Sequence, residues 1–235
     1  MKHLRNTLFV VMILLVSGAV WAQQEEVDPS QLGVDSAQQR LQEVSVTRFE
    51  DPAFWNVNMS LDTGVLTYRR LAGAPIDKEP IEAETELGIE EGDEYVLGVK
   101  AEFFRRGSST IFVQASRPLA VPGIVKTLSV WVVGRNRQHR MSLVVEDYFG
   151  NRNILPFGTM NFSGWRQMTV AIPPTIVQQD SFYSDRSGLQ VLGFLIELDQ
   201  MQTYGQYYVY LDDLRAVTDL FSEEARDPDD MVDGW

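Results

Sequence analysis

Two pairs of adjacent carboxylates, Glu146–Asp147 and Asp212–Asp213, are the side chains whose type and spacing could support acid–base chemistry. A glycosidase uses two carboxyl groups that flank the bond it breaks. Adjacent residues of a strand point to opposite faces, so neither pair is expected to converge on one substrate. The chain also carries 33 acidic residues, so pairs of this kind arise without a catalytic role. The carboxylates alone do not indicate an enzyme.

The other groups that catalysis and metal binding require are scarce. The sequence has no cysteine and two histidines, His3 and His139. A Ser-His-Asp triad would need His139, but no nucleophile-elbow motif accompanies it, and the residue count excludes a zinc site of cysteine and histidine. His139 follows arginines in a predicted turn, where we expect a solvated side chain. We therefore expect no catalytic residue, no cofactor and no enzymatic activity.

The segments that carry these residues have the pattern of β-strands. Polar and apolar residues alternate over 44–50, 65–68, 95–104, 110–115, 125–133, 141–146, 165–172, 191–198 and 206–217. Closely spaced turns and the absence of alternating helices predict an all-β fold. This fold is an antiparallel β-sandwich or jelly roll that resembles galactose-binding-like carbohydrate-binding modules. The residues expected in its core are Val130, Val132, Val170, Ile172, Leu192, Phe194 and Ile196.

Jelly rolls of the carbohydrate-binding type often hold a structural calcium ion between the first and last strands. Glu50, at the end of the first predicted strand, and Asp212, in the last, are the candidate ligands. Carboxylate oxygens suit calcium because it is a hard cation. The alternative is that both are exposed acids in a chain rich in them.

Residues 1–22 have the pattern of a secretory signal peptide that is cleaved near Ala22. A basic start precedes an apolar run too short to span a bilayer, and small residues follow. The alternative is an uncleaved membrane anchor, which the polar residues directly after Ala22 disfavour. The sequence therefore predicts export and no membrane anchor.

The exported part divides into three predicted regions. Residues 23–43 form a polar arm with a short helix over 36–43, residues 44–218 form the sandwich, and residues 219–235 form an acidic tail. The tail is expected to be short and helical or irregular, with Asp219 or Ser222 as a possible helix N-cap. The segment 71–92, rich in glycine, proline and acids, is expected to form an irregular loop.

Charge predicts the partners. A net charge of −13 repels phosphate backbones, so nucleic acid is not expected as a partner. The scarce basic residues nevertheless cluster in predicted hairpin turns, and the tail is acidic and ends in an aromatic residue. We expect basic turns and acidic tails to attract one another between copies or partners, the alternatives being solvated turns and a disordered tail. The interface candidates are Arg105, Arg106, Arg135, Arg137, Arg140, Asp229, Asp230 and Trp235.

Three segments resemble a known family. They are Phe49–Glu50–Asp51 with Trp55, the strand entry Phe162-Ser163-Gly164-Trp165, and above all Tyr208–Trp235 with its Asp-Asp-Leu-Arg-Ala-Val-Thr-Asp-Leu-Phe stretch. These resemble the FlaA family, the outer-layer or sheath proteins of spirochaete periplasmic flagella. The resemblance implies a periplasmic location, association with the core flagellin and other sheath proteins, and self-association along the filament. It also implies a structural role in filament shape and stiffness for motility.

A periplasmic carbohydrate-binding module is the alternative function. Such modules bind sugars on aromatic side chains at a concave face. The aromatic residues that could form this platform are Trp55, Trp131, Trp165, Tyr207, Tyr208 and Tyr210. Aromatic residues of this kind more often pack in the core or at a sandwich edge.

Overall fold

The computed structural model describes residues 41–88, 92–179 and 188–220. These residues form eleven strands, one short α-helix and a 3-10 turn at Pro52–Phe54. The strands are β1 Leu41–Thr47, β2 Trp55–Asn58, β3 Gly64–Ala72, β4 Tyr95–Phe103, β5 Ser109–Ala120, β6 Ile124–Val133, β7 Arg140–Glu146, β8 Arg152–Thr159, β9 Trp165–Ala171, β10 Gln190–Leu198 and β11 Gln206–Asp219, and the helix is α1 Glu82–Glu86.

The strands form two antiparallel sheets. Sheet A has the order β3-β4-β11-β6-β9, and β1 also pairs with β11. Sheet B has the order β2-β5-β10-β7-β8. Non-consecutive neighbours in both sheets show that the chain crosses repeatedly between them. The predicted all-β antiparallel sandwich is therefore confirmed.

The core lies between the two sheets, where the inward residues of alternate positions meet. Val130 and Val132 from β6 and Phe194 and Ile196 from β10 are fully or almost fully buried. Val170 and Ile172 are partly buried and pack against this cluster. Removing this apolar surface from water is the main favourable contribution to folding in a chain that has no disulfide.

Leu192 does not belong to the core, and its predicted position is wrong. The register of β10 with both β5 and β7 shifts between Val191 and Gly193, which marks a β-bulge. Because one extra residue changes the face that the following side chains occupy, Val191 and Phe194 both face inward. The side chain of Leu192 lines a groove on the outer face of sheet B instead.

Two strands, β2 and β8, were not predicted from the pattern. In β2 the outward residues are Asn56 and Asn58, so the apolar alternation covers only Trp55 and Val57. In β8 Pro156 and Gly158 occupy positions that normally interrupt a strand. Both strands lie at the edges of sheet B, where fewer ladder hydrogen bonds depend on them.

The ends of the sandwich differ from the predicted boundaries by a few residues. β1 begins at Leu41 and β11 ends at Asp219, and these two residues are paired. The helix expected over 36–43 is wrong for its last three residues, and its remainder lies outside the described residues. Asp219 is a strand residue rather than a helix N-cap, and Ser222 lies outside the described residues. Helix α1 interrupts the loop predicted to be irregular.

Within the described ranges, the helical segments are all too short and too polar to cross a membrane.

Replacing Gly193 at the bulge is expected to destabilise the fold. A Cβ there would lie 2.2 Å from the carbonyl oxygen of Val113, and its φ of 145° disfavours other residues. We expect Gly193→Ala to lower the free energy of unfolding by about 2 kcal/mol more than Gly158→Ala, measured by urea denaturation. Gly158 is the matched control because its φ is 118° but no atom lies near its Cβ position. Equal losses would show that the close carbonyl contact is unimportant.

Candidate interaction surfaces

Strand β11 changes one of its neighbours at Asp212 and Asp213. It pairs with β4 up to Leu211 and with β1 from Leu214, while β6 runs along its other side. Asp213 is the extra residue of a bulge opposite β6 and has a φ of 46°. The bulge brings both carboxylates to the ammonium group of Lys78, at 2.8 and 3.8 Å. The expectation that adjacent acids point apart is wrong at this pair.

Lys78 ties the connection between β3 and β4 to sheet A. Its side chain is almost fully buried and lies between Asp212 of β11 and Asp93, whose Oδ1 is 2.6 Å from the ammonium nitrogen. Burial alone would lower the pKa of Lys78, but the contacts with Asp212 and Asp93 outweigh it and the pKa is raised. Lys78 therefore remains charged and compensates the buried acids.

Arg215 provides the second tie to the same connection. Its Nε donates to Asp213 Oδ2 at 2.7 Å, and its Nη2 donates to the backbone carbonyl of Glu79 at 2.6 Å. Nη1 lies 3.3 Å from the carboxylate of Glu43 in β1. Arg215 thus joins β11, β1 and the β3–β4 connection. We call Lys78, Arg215, Asp93, Asp212, Asp213 and Glu43 the ion cluster.

These contacts do not satisfy every oxygen atom of Asp212 and Asp213. The Oδ1 atoms of Asp212 and Asp213 are buried and lack a hydrogen-bond partner among the described residues. Burial raises the pKa of Asp212 to about 6, against the opposing effect of Lys78. The cluster is therefore a costly arrangement that depends on its two cations.

The calcium candidates have other partners in the structure. Glu50 Oε1 accepts hydrogen bonds from the backbone N–H groups of Glu94 at 2.7 Å and Tyr95 at 3.0 Å, which fixes the start of β4. A calcium ion at Asp212 would have to displace Lys78. The part of the chain that the structure describes also holds no group of three or more acidic, histidine or cysteine side chains suited to a metal. A calcium site at Glu50 and Asp212 stays a prediction.

A basic surface forms where three turns meet around Tyr204. Each turn joins a strand of one sheet to a strand of the other, so the prediction that the two arginine-bearing turns close hairpins is wrong. The guanidinium carbons of Arg106, from the β4–β5 turn, and Arg137, from the β6–β7 turn, lie 5.2 and 5.3 Å from the centre of the Tyr204 ring. Arg137 also donates to the Tyr204 hydroxyl at 3.4 Å, and this bond lowers the pKa of Tyr204. Two predicted interface arginines from distant parts of the sequence are thus brought together on one aromatic side chain.

Hydrogen bonds between the turns hold this arrangement. Thr203 Oγ1 accepts from the backbone N–H of Gly107 at 2.9 Å and donates to its carbonyl at 3.0 Å. The backbone N–H of Gln138 donates to the Gln202 side chain at 2.8 Å. Because these bonds fix the backbones, the arginines project from a rigid surface. We call the three turns, residues 104–108, 134–139 and 199–205, the basic end.

The other candidate arginines are distributed around the basic end. Arg135 lies over the ring of Tyr210 at 5.3 Å, and Arg105 forms an ion pair with Asp62. Arg140 is the first residue of β7 and pairs in register with Glu197, so it lies at the end of an inner strand of sheet B. Asp229, Asp230 and Trp235 lie outside the described residues.

His139 is buried, so the expectation of a solvated side chain is wrong. Its Nδ1 accepts from the backbone N–H of Asp199 at 3.0 Å, and its ring packs edge-on against Tyr207 at 4.5 Å. Burial, with a smaller effect of Arg137, lowers the pKa of His139 to about 4. The neutral imidazole therefore supports the three turns from within, a role that its position among arginines in the sequence did not indicate.

Four of the six aromatic residues predicted for a sugar-binding platform, Trp131, Trp165, Tyr208 and Tyr210, are partly exposed and share the outer face of sheet A. Trp55 and Tyr207 are buried in the core, where Trp55 stacks on Phe49 at 4.8 Å. Trp165 and Tyr210 lie 6.5 Å apart and are partly exposed, but Arg135 covers Tyr210. The prediction of a platform is therefore wrong for its buried members.

Comparison with protein families decides between the two functions that the sequence left open, an outer-layer protein of the flagellum and a carbohydrate-binding module. The model of the flagellar filament outer layer protein FlaA family matches residues 22–226, which is most of the chain. The chain belongs to the FlaA family. A relative from Brachyspira hyodysenteriae, described as flagellar filament outer layer-like, is 37% identical over 80% of this chain and 83% of its own length. The flagellar filament outer layer protein of Spirochaeta aurantia is 26% identical over 41% of this chain and 31% of that protein.

The FlaA family is a family of structural flagellar proteins rather than enzymes, and this chain is a protein of the flagellar filament outer layer, or sheath. A carbohydrate-binding module of the β-sandwich superfamily matches with a TM-score of 0.45 at 11% identity, over 75% of this chain and 61% of its own. The family 11 carbohydrate-binding module of a Clostridium thermocellum cellulosomal cellulase matches with a TM-score of 0.42 at 9% identity, over 76% and 96%.

Removing Lys78, one of the two cations of the ion cluster, should destabilise this FlaA protein strongly. Lys78→Met leaves Asp212 buried beside another acid, so we expect the free energy of unfolding at pH 7.5 to fall by about 3 kcal/mol. Lys100→Met is the control, because Lys100 pairs with Glu102 at the surface and should cost under about 1 kcal/mol. Adding Asp212→Asn to Lys78→Met should restore part of the loss. Equal losses for the two lysine variants would contradict the buried pairing.

The pKa of His139 can be measured directly, because the chain has only one other histidine, His3. In a chain that starts at residue 23, NMR titration should show no protonation of the imidazole between pH 8 and about 5.5, with a midpoint near 4. The unfolded chain binds this proton near pH 6.5, so the stability that neutral His139 gives is present above that value and is lost as pH falls toward 4. A midpoint near 6.5 would show an exposed ring.

Proposed function

We propose that this chain is exported, with cleavage near Ala22, and joins the outer layer of a periplasmic flagellar filament through its basic end. The partners are the core flagellin, other outer layer proteins and further copies of this chain. No nucleic acid and no membrane anchor take part. In this role the chain sets the shape and stiffness of the filament for motility.

The observation that carries this proposal is the grouping of arginines around Tyr204. The whole chain has a net charge of −13, so a surface with Arg105, Arg106, Arg135 and Arg137 stands out against the acidic remainder. Complementary charge favours and orients association. The acidic tail with Asp229, Asp230 and Trp235 is the complementary segment that a neighbouring copy offers.

The geometry removes three of the six aromatic candidates of the carbohydrate-binding alternative, namely Trp55, Tyr207 and Tyr210. Arg135 occupies a face of the Tyr210 ring on which a sugar would stack. Trp55 and Tyr207 would have to leave the core to reach a ligand.

Isolated periplasmic flagella should contain the chain with an N-terminus near residue 23, whereas its recovery only from the soluble periplasm would contradict the proposal.

Reversing charge at the basic end should impair assembly. We expect Arg106→Glu with Arg137→Glu to lower incorporation into isolated filaments about tenfold, because both arginines face the partner in this proposal. Arg69→Glu with Arg117→Glu changes the net charge equally on exposed positions of β3 and β5 and should incorporate normally. Sedimentation of filaments with quantitative immunoblotting measures both. Circular dichroism at the same temperature checks that each variant is folded.

The contact should also depend on salt and on the tail. Incorporation should weaken as NaCl rises from about 0.05 to 0.5 M, because exposed charges are screened.

Truncation after Leu220 keeps β11 whole and should reduce incorporation to a similar degree. Normal incorporation of this truncated chain would rule out the tail as the partner of the basic end.

A further inference from the structure

We propose that the outer face of sheet B is a contact surface between two copies of this chain. This face is built from β2, β5, β10, β7 and β8, on the side opposite the core. It is separate from the basic end and from the ion cluster, both of which involve sheet A or the turns. Its occupant is a second copy that presents the same face.

Apolar side chains occupy the middle of this outer face. Phe112 and Leu195 are paired across β5 and β10, and Val144 and Ile154 are paired across β7 and β8. Together with Leu192, which the bulge turns outward, they line a groove of about 590 Å³. Phe112 is 46% exposed and Ile154 is 60% exposed. Contiguous exposed apolar groups of this kind mark interaction sites on soluble proteins.

The remaining side chains in the middle of the face are polar but uncharged. Asn56 and Gln114 are paired across β2 and β5, and Ser142 lies between Leu195 and Pro156 in the register of the sheet. A sheet face without charge in its centre is unusual in a chain of which 23% of the residues are charged. Interface centres are depleted of charge in the same way.

Charge identifies the occupant as a second copy. Two chains that each carry a net charge of −13 repel one another across most of their surface. The outer face of sheet B avoids this repulsion because each of its ends carries one arginine and one glutamate, Arg140 with Glu197 and Arg152 with Glu146. When the same face meets itself in a two-fold arrangement, each arginine can reach a glutamate of the other copy.

The size of the face predicts a weak contact. Five strands about 4.8 Å apart and about seven residues long span roughly 550 Å². Two such faces bury on the order of 1,100 Å², which is at the low end for specific interfaces. The contact therefore forms at high protein concentration or where copies are held side by side, as they are in a filament layer.

The absence of cysteine from the chain provides the test. Ile154→Cys and Phe112→Cys place one thiol on the face, and Val65→Cys, 51% exposed on β3 of sheet A, is the matched control. In the chain from residue 23, at concentrations up to about 1 mM, a flexible bis-maleimide should link the two face variants into covalent dimers at least about tenfold faster than the control. Equal rates for face and control would show random collision and overturn the proposal.

A second measurement does not depend on crosslinking. Ile154→Glu should weaken self-association about tenfold in sedimentation equilibrium, while Val65→Glu, which adds the same charge, should leave it unchanged. Association through this face should weaken much less in about 0.5 M NaCl than contact at the basic end, because its centre is apolar and only its ends carry charged pairs. A chain that stays monomeric at about 1 mM, or a face thiol that crosslinks in filaments only to a different protein, would overturn the proposal of a second copy.

Loss of the basic-end contact and loss of this face are thus distinguishable. Charge reversal at Arg106 and Arg137 leaves the dimerisation of the Ile154→Cys chain intact if the two surfaces are independent. If the charge reversal also abolishes dimerisation, the face is not a separate interface and the proposal is wrong.

Discussion

The burial of Asp212 and Asp213 in the central strand of sheet A is the constraint on which the rest of that sheet depends. β11 must leave β4 and accept β1 at this point, and the bulge that permits the change turns two adjacent carboxylates into the protein. Buried carboxylates are costly unless cations accompany them. Lys78 and Arg215 supply the cations, and through them the long connection between β3 and β4 is fixed on the sheet.

The strands of the sandwich core were predictable because their inward and outward residues alternate with period two. The edge strands β2 and β8 were not, since an edge strand keeps its place with fewer apolar residues and tolerates Pro156 and Gly158. The position of Leu192 could not be predicted because the bulge depends on the backbones of β5 and β7. A glycine at 193, directly after Leu192, is the one local signal that could have indicated it.

The candidate surfaces were predictable to a lesser extent. Clusters of arginine in turns were visible in the sequence, but their convergence on Tyr204 follows from the order of the strands, which brings three distant turns to one end. His139 lay in the same cluster and was expected in solvent. The structure buries it because the 134–139 and 199–205 turns are hydrogen-bonded to each other and to the imidazole. Sandwich folds serve many functions, so the family and the surfaces, rather than the fold, identify the role of this chain.

The pairing of Leu41 with Asp219 places the first and last strand residues of the sandwich at the same end of β11. Strand β11 starts beside the basic turns and runs 14 residues, or about 45 Å, to the place where the described chain both enters and leaves the sandwich. The arm before Leu41 and the tail after Leu220 are therefore attached at the pole remote from the arginines. A row of copies joined pole to pole would have two unlike ends, so its growth at one end would proceed at a different rate from its growth at the other.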